Sequence, residues 1–194
     1  MKNSTAIVLI IIALIFLIGG CNSYNGLVSK NEEVEKSWAN VQSSYQRRAD
    51  LIPNLVNTVK GYADFEKSTL TEVINARSKA TSVNIDANNL NPESLKQFQD
   101  AQGGLTNALS KLLVTVEKYP DLKANQNFLE LQSQLEGTEN RIKVARDEFN
   151  EQVRSFNTKA KRFPTNIFAG VFGFKDKPYF EADKGSEKAP EVKF

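Results

Sequence analysis

The densest mixture of charged and apolar side chains is Arg47-Arg48-Ala49-Asp50-Leu51-Ile52-Pro53-Asn54-Leu55-Val56. Two adjacent arginines on a helix point about 100° apart, so one is expected on a helix–helix seam and the other in water. A guanidinium on a seam needs carboxylates or carbonyls, because a buried unpaired charge is very costly. Glu130, Glu136, Glu139 and Asp147 are the candidate partners. Two chemistries follow. One is a structural or interaction network built from Arg47, Arg48, Asp50, Arg77, Glu139, Arg141 and Arg146; the other is a site that holds an anionic group near Arg47, Arg48 and Arg77. Catalysis is not expected, since the chain has no histidine and a single cysteine, which removes the commonest general base and every Ser-His or Cys-His dyad. Glu136 and Glu139 share a helix face, a spacing found in Glu-rich two-metal bundles, but those sites also use Glu-x-x-His. No metal and no cofactor is therefore expected.

These residues sit on long helical stripes. Leu27, Val34, Trp38, Val41, Tyr45 and Ile52 recur at sevens, fours and threes, and Leu55, Val59, Tyr62, Glu66, Leu70, Val73, Arg77 and Ala80 continue the beat. The spacing predicts a first segment from about Tyr24 to Thr81, kinked or briefly broken at Pro53, with Gly61 a second weak point. Asn84 to Asn91 reads as a loop, closed by Pro92 in the first turn of the next helix. That helix carries Leu95, Phe98, Ala101, Leu105, Leu109, Leu112, Val116 and Tyr119 and ends at Tyr119-Pro120-Asp121. Gly103 and Gly104 inside it suggest close helix packing or a local irregularity, or a backbone approach to a ligand. A third helix, Asn125 to Lys161, holds Phe128, Leu131, Leu135, Thr138, Ile142, Ala145, Phe149, Val153, Phe156 and Ala160 in near-heptad register. No segment alternates like a strand. The expected fold is all-α, an elongated antiparallel bundle of three to four long helices over residues 22–162, behind an N-terminal membrane anchor.

The anchor is residues 1–21. Ala6 to Ile18 is an unbroken run of thirteen apolar residues between Lys2 and Gly19-Gly20-Cys21. At about 1.5 Å per residue the run covers roughly 20 Å, less than the ~30 Å hydrocarbon core of a bilayer. Its layout is that of a secretory signal, and Leu17-Ile18-Gly19-Gly20-Cys21 resembles a bacterial lipobox, in which Cys21 would be lipidated. The alternatives are a lipoprotein signal ending at Cys21 and an uncleaved transmembrane helix. Lys2 precedes the run and the first basic residue after it is Lys30, so the positive-inside bias leaves the bundle outside the cytoplasm. The expected partners are membrane lipid, through residues 6–21, and an unidentified protein.

Charge adds exclusions. With 25 basic and 23 acidic residues the charge is near balance, and nothing in it asks for nucleic acid, whose binding needs a clustered basic face. Six of the 12 phenylalanines lie from Phe163 onward. Ile167, Phe168, Val171 and Phe172 line one side of a helical turn or two, so residues 163–181 form an aromatic segment that packs on the bundle or docks on membrane or partner. Residues 182–194, charged and containing Gly and Pro, read as a mobile tail.

Asn25-x-Leu27-Val28, Trp38-Ala39-x-Val41, the run Arg47 to Val56, Gly61-Tyr62, Ala76-Arg77, Glu130 to Gly137, Thr138-Glu139-Asn140-Arg141-Ile142, Ala145-Arg146, Phe163-Pro164-Thr165-Asn166, Gly173-Phe174 and Tyr179-Phe180 together resemble the LemA family. The resemblance spans nearly everything after the anchor. It implies a membrane-anchored helical bundle of bacterial origin and carries over no catalytic residues. The family is described with an uncleaved N-terminal membrane helix, a pattern from which Cys21 departs. The expected function is a structural or protein-interaction scaffold at the bacterial cell envelope; the alternative is a lipoprotein that binds an anionic group through the Arg47/Arg48 region.

Overall fold

The computed structural model describes residues 2–61 and 66–181, and every regular element among them is helical. The helices are α1 (Lys2–Lys60), α2 (Lys67–Ser82), α3 (Pro92–Val116), the single turn α4 (Pro120–Lys123), α5 (Gln126–Lys161) and α6 (Thr165–Phe172). Four long helices run alternately up and down. The upper half of α1 pairs with the second half of α5, while its lower half packs with α2, α3 and the first half of α5.

The apolar stripes become two cores. One holds Leu27, Val34, Trp38, Val41 and Tyr45 of α1 with Phe98 of α3 and Ile142, Phe149, Val153 and Phe156 of α5. The other holds Ile52, Leu55 and Val59 with Leu70 and Val73 of α2, Leu105 and Leu112 of α3, and Phe128 and Leu135 of α5. Packing of these stripes, more than helix propensity, holds such a bundle together. The loop before α3 contributes Ile85 and Leu90 to the first core, and the Trp38 indole N–H donates to the Ile85 carbonyl at 2.9 Å. α3 opens on a capping box in which Asn91 and Ser94 bond each other's backbone N–H, with Pro92 in its first turn. Asn125 caps α5 by accepting from the Phe128 N–H.

Four expectations are corrected. Pro53 does not divide the first segment: α1 passes through it and ends beside Gly61, and Glu66 is the exposed residue that starts α2 instead of a stripe position. Tyr62 lies outside the described residues. Gly103 and Gly104 are not close-packing points, since a Cβ at either would meet nothing within 4 Å. α3 stops at Val116, and Pro120 begins α4 instead of closing α3.

The N-terminal segment also differs from a separate anchor. α1 begins at Lys2, with 59 residues in one helix, about 88 Å at the standard rise. Among the described residues no helix is long and apolar enough to cross a membrane; the apolar run falls short of the about 20 residues that spanning takes. Residues 2–21 are instead an arm of the bundle helix itself.

After α5 the chain turns into α6 and then doubles back. Gly173, at φ 76°, ends α6 in the left-handed conformation, with the Phe174 N–H bonded to the Ala169 carbonyl at 3.0 Å. Residues 174–181 return along the groove between α1 and α5 as an extended strap. Phe174 lies against Phe156, and Phe180 enters the upper core beside Trp38 and Phe149. The suggested mobile tail, 182–194, lies outside the described residues.

Candidate functional site

Arg48 is the arginine that turns inward. It is 1% exposed, while Arg47, one residue earlier, faces solvent, as their angular separation requires. Arg48 Nη1 donates to Glu139 Oε1 at 2.7 Å and Thr106 Oγ1 at 2.9 Å. Its Nη2 donates to Gln102 Oε1 at 2.7 Å and the Gln102 carbonyl at 3.3 Å. The guanidinium lies 5.0 Å over the Tyr45 ring, and its Nε has no hydrogen-bond partner among the described residues. Gln102 in turn donates to the Ala80 carbonyl at 3.2 Å. One side chain thus links α1, α3 and α5 directly, and α2 through Gln102.

Of the candidate carboxylates, Glu139 is the one that reaches Arg48. Glu136 and Glu130 instead accept from Gln132 and Gln134 on their own helix. Asp50 is exposed and accepts from Gln46 at 2.7 Å. Arg141 is exposed on the outer face of α5. Arg146 serves the strap: its Nη2 donates to the Glu181 carbonyl at 2.9 Å and its guanidinium lies 5.0 Å from the Phe180 ring centre.

Arg77 has a role of its own. Proline carries no N–H, so Pro53 leaves the carbonyl four residues earlier, that of Ala49, without its helical donor. Arg77 Nε donates to that carbonyl at 2.8 Å. This bond explains why α1 runs through Pro53 and why Arg77, though polar, sits on an apolar beat. Replacing Arg77 by Met is expected to cost about 1.5 kcal/mol, the low end of the range for a hydrogen bond to a charged group, since Arg77 is only part-buried. In a Pro53→Ala background the cost should fall below about 0.5 kcal/mol, because residue 53 regains an N–H that can satisfy the same carbonyl. Urea unfolding of the four proteins measures this; additive costs would show that the Arg77 bond does not serve Pro53.

Two further residues gave no sequence signal. Asn150 and Asn157, on α5, each grip the strap's backbone with both amide atoms. Asn157 accepts from the Lys177 N–H at 2.9 Å and donates to the Lys177 carbonyl at 2.9 Å. Asn150 does the same to Phe180, at 2.8 and 3.2 Å. Lys161 pairs with Asp176 at 2.6 Å, and hydrogen bonding to that carboxylate raises the lysine's pKa. Lys177 lies half-buried near the Phe156 ring; desolvation lowers its pKa, with Glu35 partly opposing.

A cleft of about 350 Å³ opens beside the network, lined by Tyr45, Arg48, Gln102, Thr106, Glu139 and Arg146 among others. Of its two arginines, Arg48 is paired with Glu139 and Arg146 donates to the Glu181 carbonyl of the strap. Arg47 and Arg48 diverge, and Arg77 is committed to Ala49, so the three do not converge as a receptor for an anion. Among the described residues no group of His, Cys, Asp or Glu could hold a metal ion. Cys21 is free and exposed on the arm.

The arm exposes Ile7, Ile10, Ile11, Leu14, Phe16, Leu17 and Ile18. α6 packs against its base. Phe168 meets Phe16 at 5.1 Å and Phe172 meets Tyr24 at 4.9 Å. A Cβ on Gly20 would stand 3.0 Å from the Phe168 ring, so this glycine makes room for α6. The four apolar residues of this turn share one broad side of the helix, of which Phe168 is buried while Ile167, Val171 and Phe172 are exposed.

Two magnetosome proteins of Paramagnetospirillum magneticum, MamQ 1 and MamQ 2, are each 26% identical to this chain over 179 residues, an alignment covering 81% of it and 64% of each relative. The chain thus spans less than two thirds of the length of those proteins. Protein LemA of Metamycoplasma hominis is 28% identical over 160 residues, covering 82% of this chain and 69% of that protein. The sequence profile of the LemA family matches residues 37–194, which takes in the Arg48 network, the Arg77 bond, both clamping asparagines and the strap. The chain belongs to the LemA family.

Proposed function

We propose that this protein is a membrane-tethered scaffold of the bacterial cell envelope. The apolar arm lies in lipid, and the bundle stands outside the cytoplasm to engage a protein partner. The observation that carries this reading is the arm: seven large apolar side chains exposed on a helix continuous with the bundle. An exposed apolar surface of this extent marks contact with membrane or protein, and transfer of such side chains from water is favourable by about 25 cal/mol per Å². The positions of Lys2 and Lys30 support the orientation. The arrangement of Arg48, Arg77 and the strap supports a rigid framework over a reaction centre, since each polar group described there holds two helices, or a helix and the strap, together.

The contacts of Phe16 and Gly20 with Phe168 favour an arm retained in the mature protein, because cleavage before Cys21 would remove both. Flotation of the full-length protein with phospholipid vesicles tests the reading. The wild type is expected to rise with the lipid, and Ile11→Asp/Leu14→Asp to stay behind with an unchanged circular dichroism spectrum. A wild type that fails to float overturns it. Intact mass from membranes is expected to include residues 2–20; a mature species starting at a lipidated Cys21 would overturn the retained arm.

A further inference from the structure

We infer that α6 and the basic residues around it form a second lipid contact, an interfacial wedge beside the arm that favours anionic headgroups. The inference rests on the reading of the arm as lipid-embedded and adds a distinct surface to it. α6 is eight residues long, about 12 Å, too short to span lipid but suited to lie in the interface, where an apolar face sinks roughly 5–10 Å. Phe168 is buried against α1, while Phe172 meets Tyr24 and still stays 46% exposed. Three more residues lie open: Phe163, just before α6, is 81% exposed, Val171 75% and Ile167 43%. These residues sit beside the base of the arm, since α6 packs on α1 at Phe16, Gly20 and Tyr24.

Charge complements this surface. Between Asn157 and Lys177 stand Lys159, Lys161, Arg162, Lys175 and Lys177 against the single acid Asp176, a local net charge of five minus one. A shallow cleft of about 600 Å³ between α1 and the end of α5 reaches Arg162, three residues before α6, and is lined by Lys30, Arg154, Lys159 and Arg162, with Glu151. Arg154 is paired with Glu151 and Lys30 with Glu33, which leaves Lys159 and Arg162 as its cations without a carboxylate partner among the described residues. Cations beside an exposed apolar face are the pattern of a helix that lies on anionic lipid. A second protein would need an apolar face of its own to cover Val171 and Phe163, whereas a bilayer already holding the arm is at hand. The close fit of Gly20 to Phe168 and the left-handed stop at Gly173 hold α6 at one height on α1.

The test uses the full chain as Cys21→Ser/Val171→Cys, labelled with an environment-sensitive fluorophore, beside Cys21→Ser/Val144→Cys as a control, residue 144 being exposed on α5. With vesicles of phosphatidylcholine plus phosphatidylglycerol, the probe at 171 is expected to brighten several-fold and to be quenched by nitroxide-labelled lipid, and the probe at 144 to do neither. Lys159→Gln/Arg162→Gln should weaken binding to these vesicles by about tenfold or more, at about 1 kcal/mol per basic residue, with little effect on phosphatidylcholine alone. A protein that floats while the probe at 171 stays dark overturns the wedge and leaves the arm standing. Failure to float overturns both. Brightening without lipid that rises with protein concentration would show a second copy covering α6, and equal loss on both vesicle types would overturn the preference for anionic lipid.

Discussion

Phe180→Ala is expected to remove about 3 kcal/mol of folding stability, the lower end of the range for truncating a buried phenylalanine. Phe180 is 5% exposed and makes three ring contacts: stacked on Trp38 at 6.0 Å, edge-on to Phe149 at 5.4 Å, and under the Arg146 guanidinium. Its backbone is clamped by Asn150, so the strap cannot simply slide to refill the space. The cavity would open against Trp38, the only tryptophan in the chain, and intrinsic fluorescence should report it together with a lower urea midpoint. Phe180→Leu is expected to recover more than half of the loss. A cost under about 1 kcal/mol would show that the strap lies on the core without being part of it.

Glu139→Ala is expected to cost about 2 kcal/mol, more than Arg48→Met, and the double substitution less than the sum. Removing one partner of a fully buried ion pair costs about 3–5 kcal/mol because the other charge is stranded. Here the side chain of Glu139 is 46% exposed and that of Arg48 1%, so solvent screens part of the interaction and the figure is discounted. The asymmetry gives the order. Without Glu139 the guanidinium stays enclosed with only Gln102 and Thr106 as hydrogen-bond partners; without Arg48 the carboxylate relaxes into water and Met fills the space, leaving the Gln102 Oε1 acceptor to cost about 1 kcal/mol, the low end for an unsatisfied buried group. Urea unfolding of the cycle measures the coupling. If Arg48→Met proved the costlier, packing around Tyr45 and Gln102 would outweigh charge pairing.

The helical stripes were legible because burial on a helix repeats at 3.6 residues. Leu27, Val34, Trp38, Val41 and Tyr45, and on α5 Phe128, Leu135, Ile142, Phe149 and Phe156, are all buried. The inward turn of one of two adjacent arginines followed from the same geometry, although which one did not. Pro53 misled because its cost was judged locally, while the compensating donor, Arg77, comes from another helix. Glu66 fell on the beat by arithmetic alone, since the helix had already ended. Asn150 and Asn157 left no trace because what they bind is extended backbone, and a strap with no side-chain period offers nothing to read. The burial of Phe168 alone was hidden for a related reason: a row of apolar side chains on one short helix does not reveal which of them meets a neighbour until that neighbour is placed.

The uninterrupted passage of α1 from arm to bundle has a mechanical consequence. A flexible tether would let a domain wander through a hemisphere; one rod leaves only tilt and rotation about its own axis. From Gly19 to Lys60 the rod is about 63 Å long at the standard rise. With the arm seated in lipid as proposed, the far turns of the bundle are carried at a set height, and every copy presents them in the same layer. Partners at that height would meet a two-dimensional array of identical surfaces, so crowding within the plane, more than affinity of any single contact, would govern assembly.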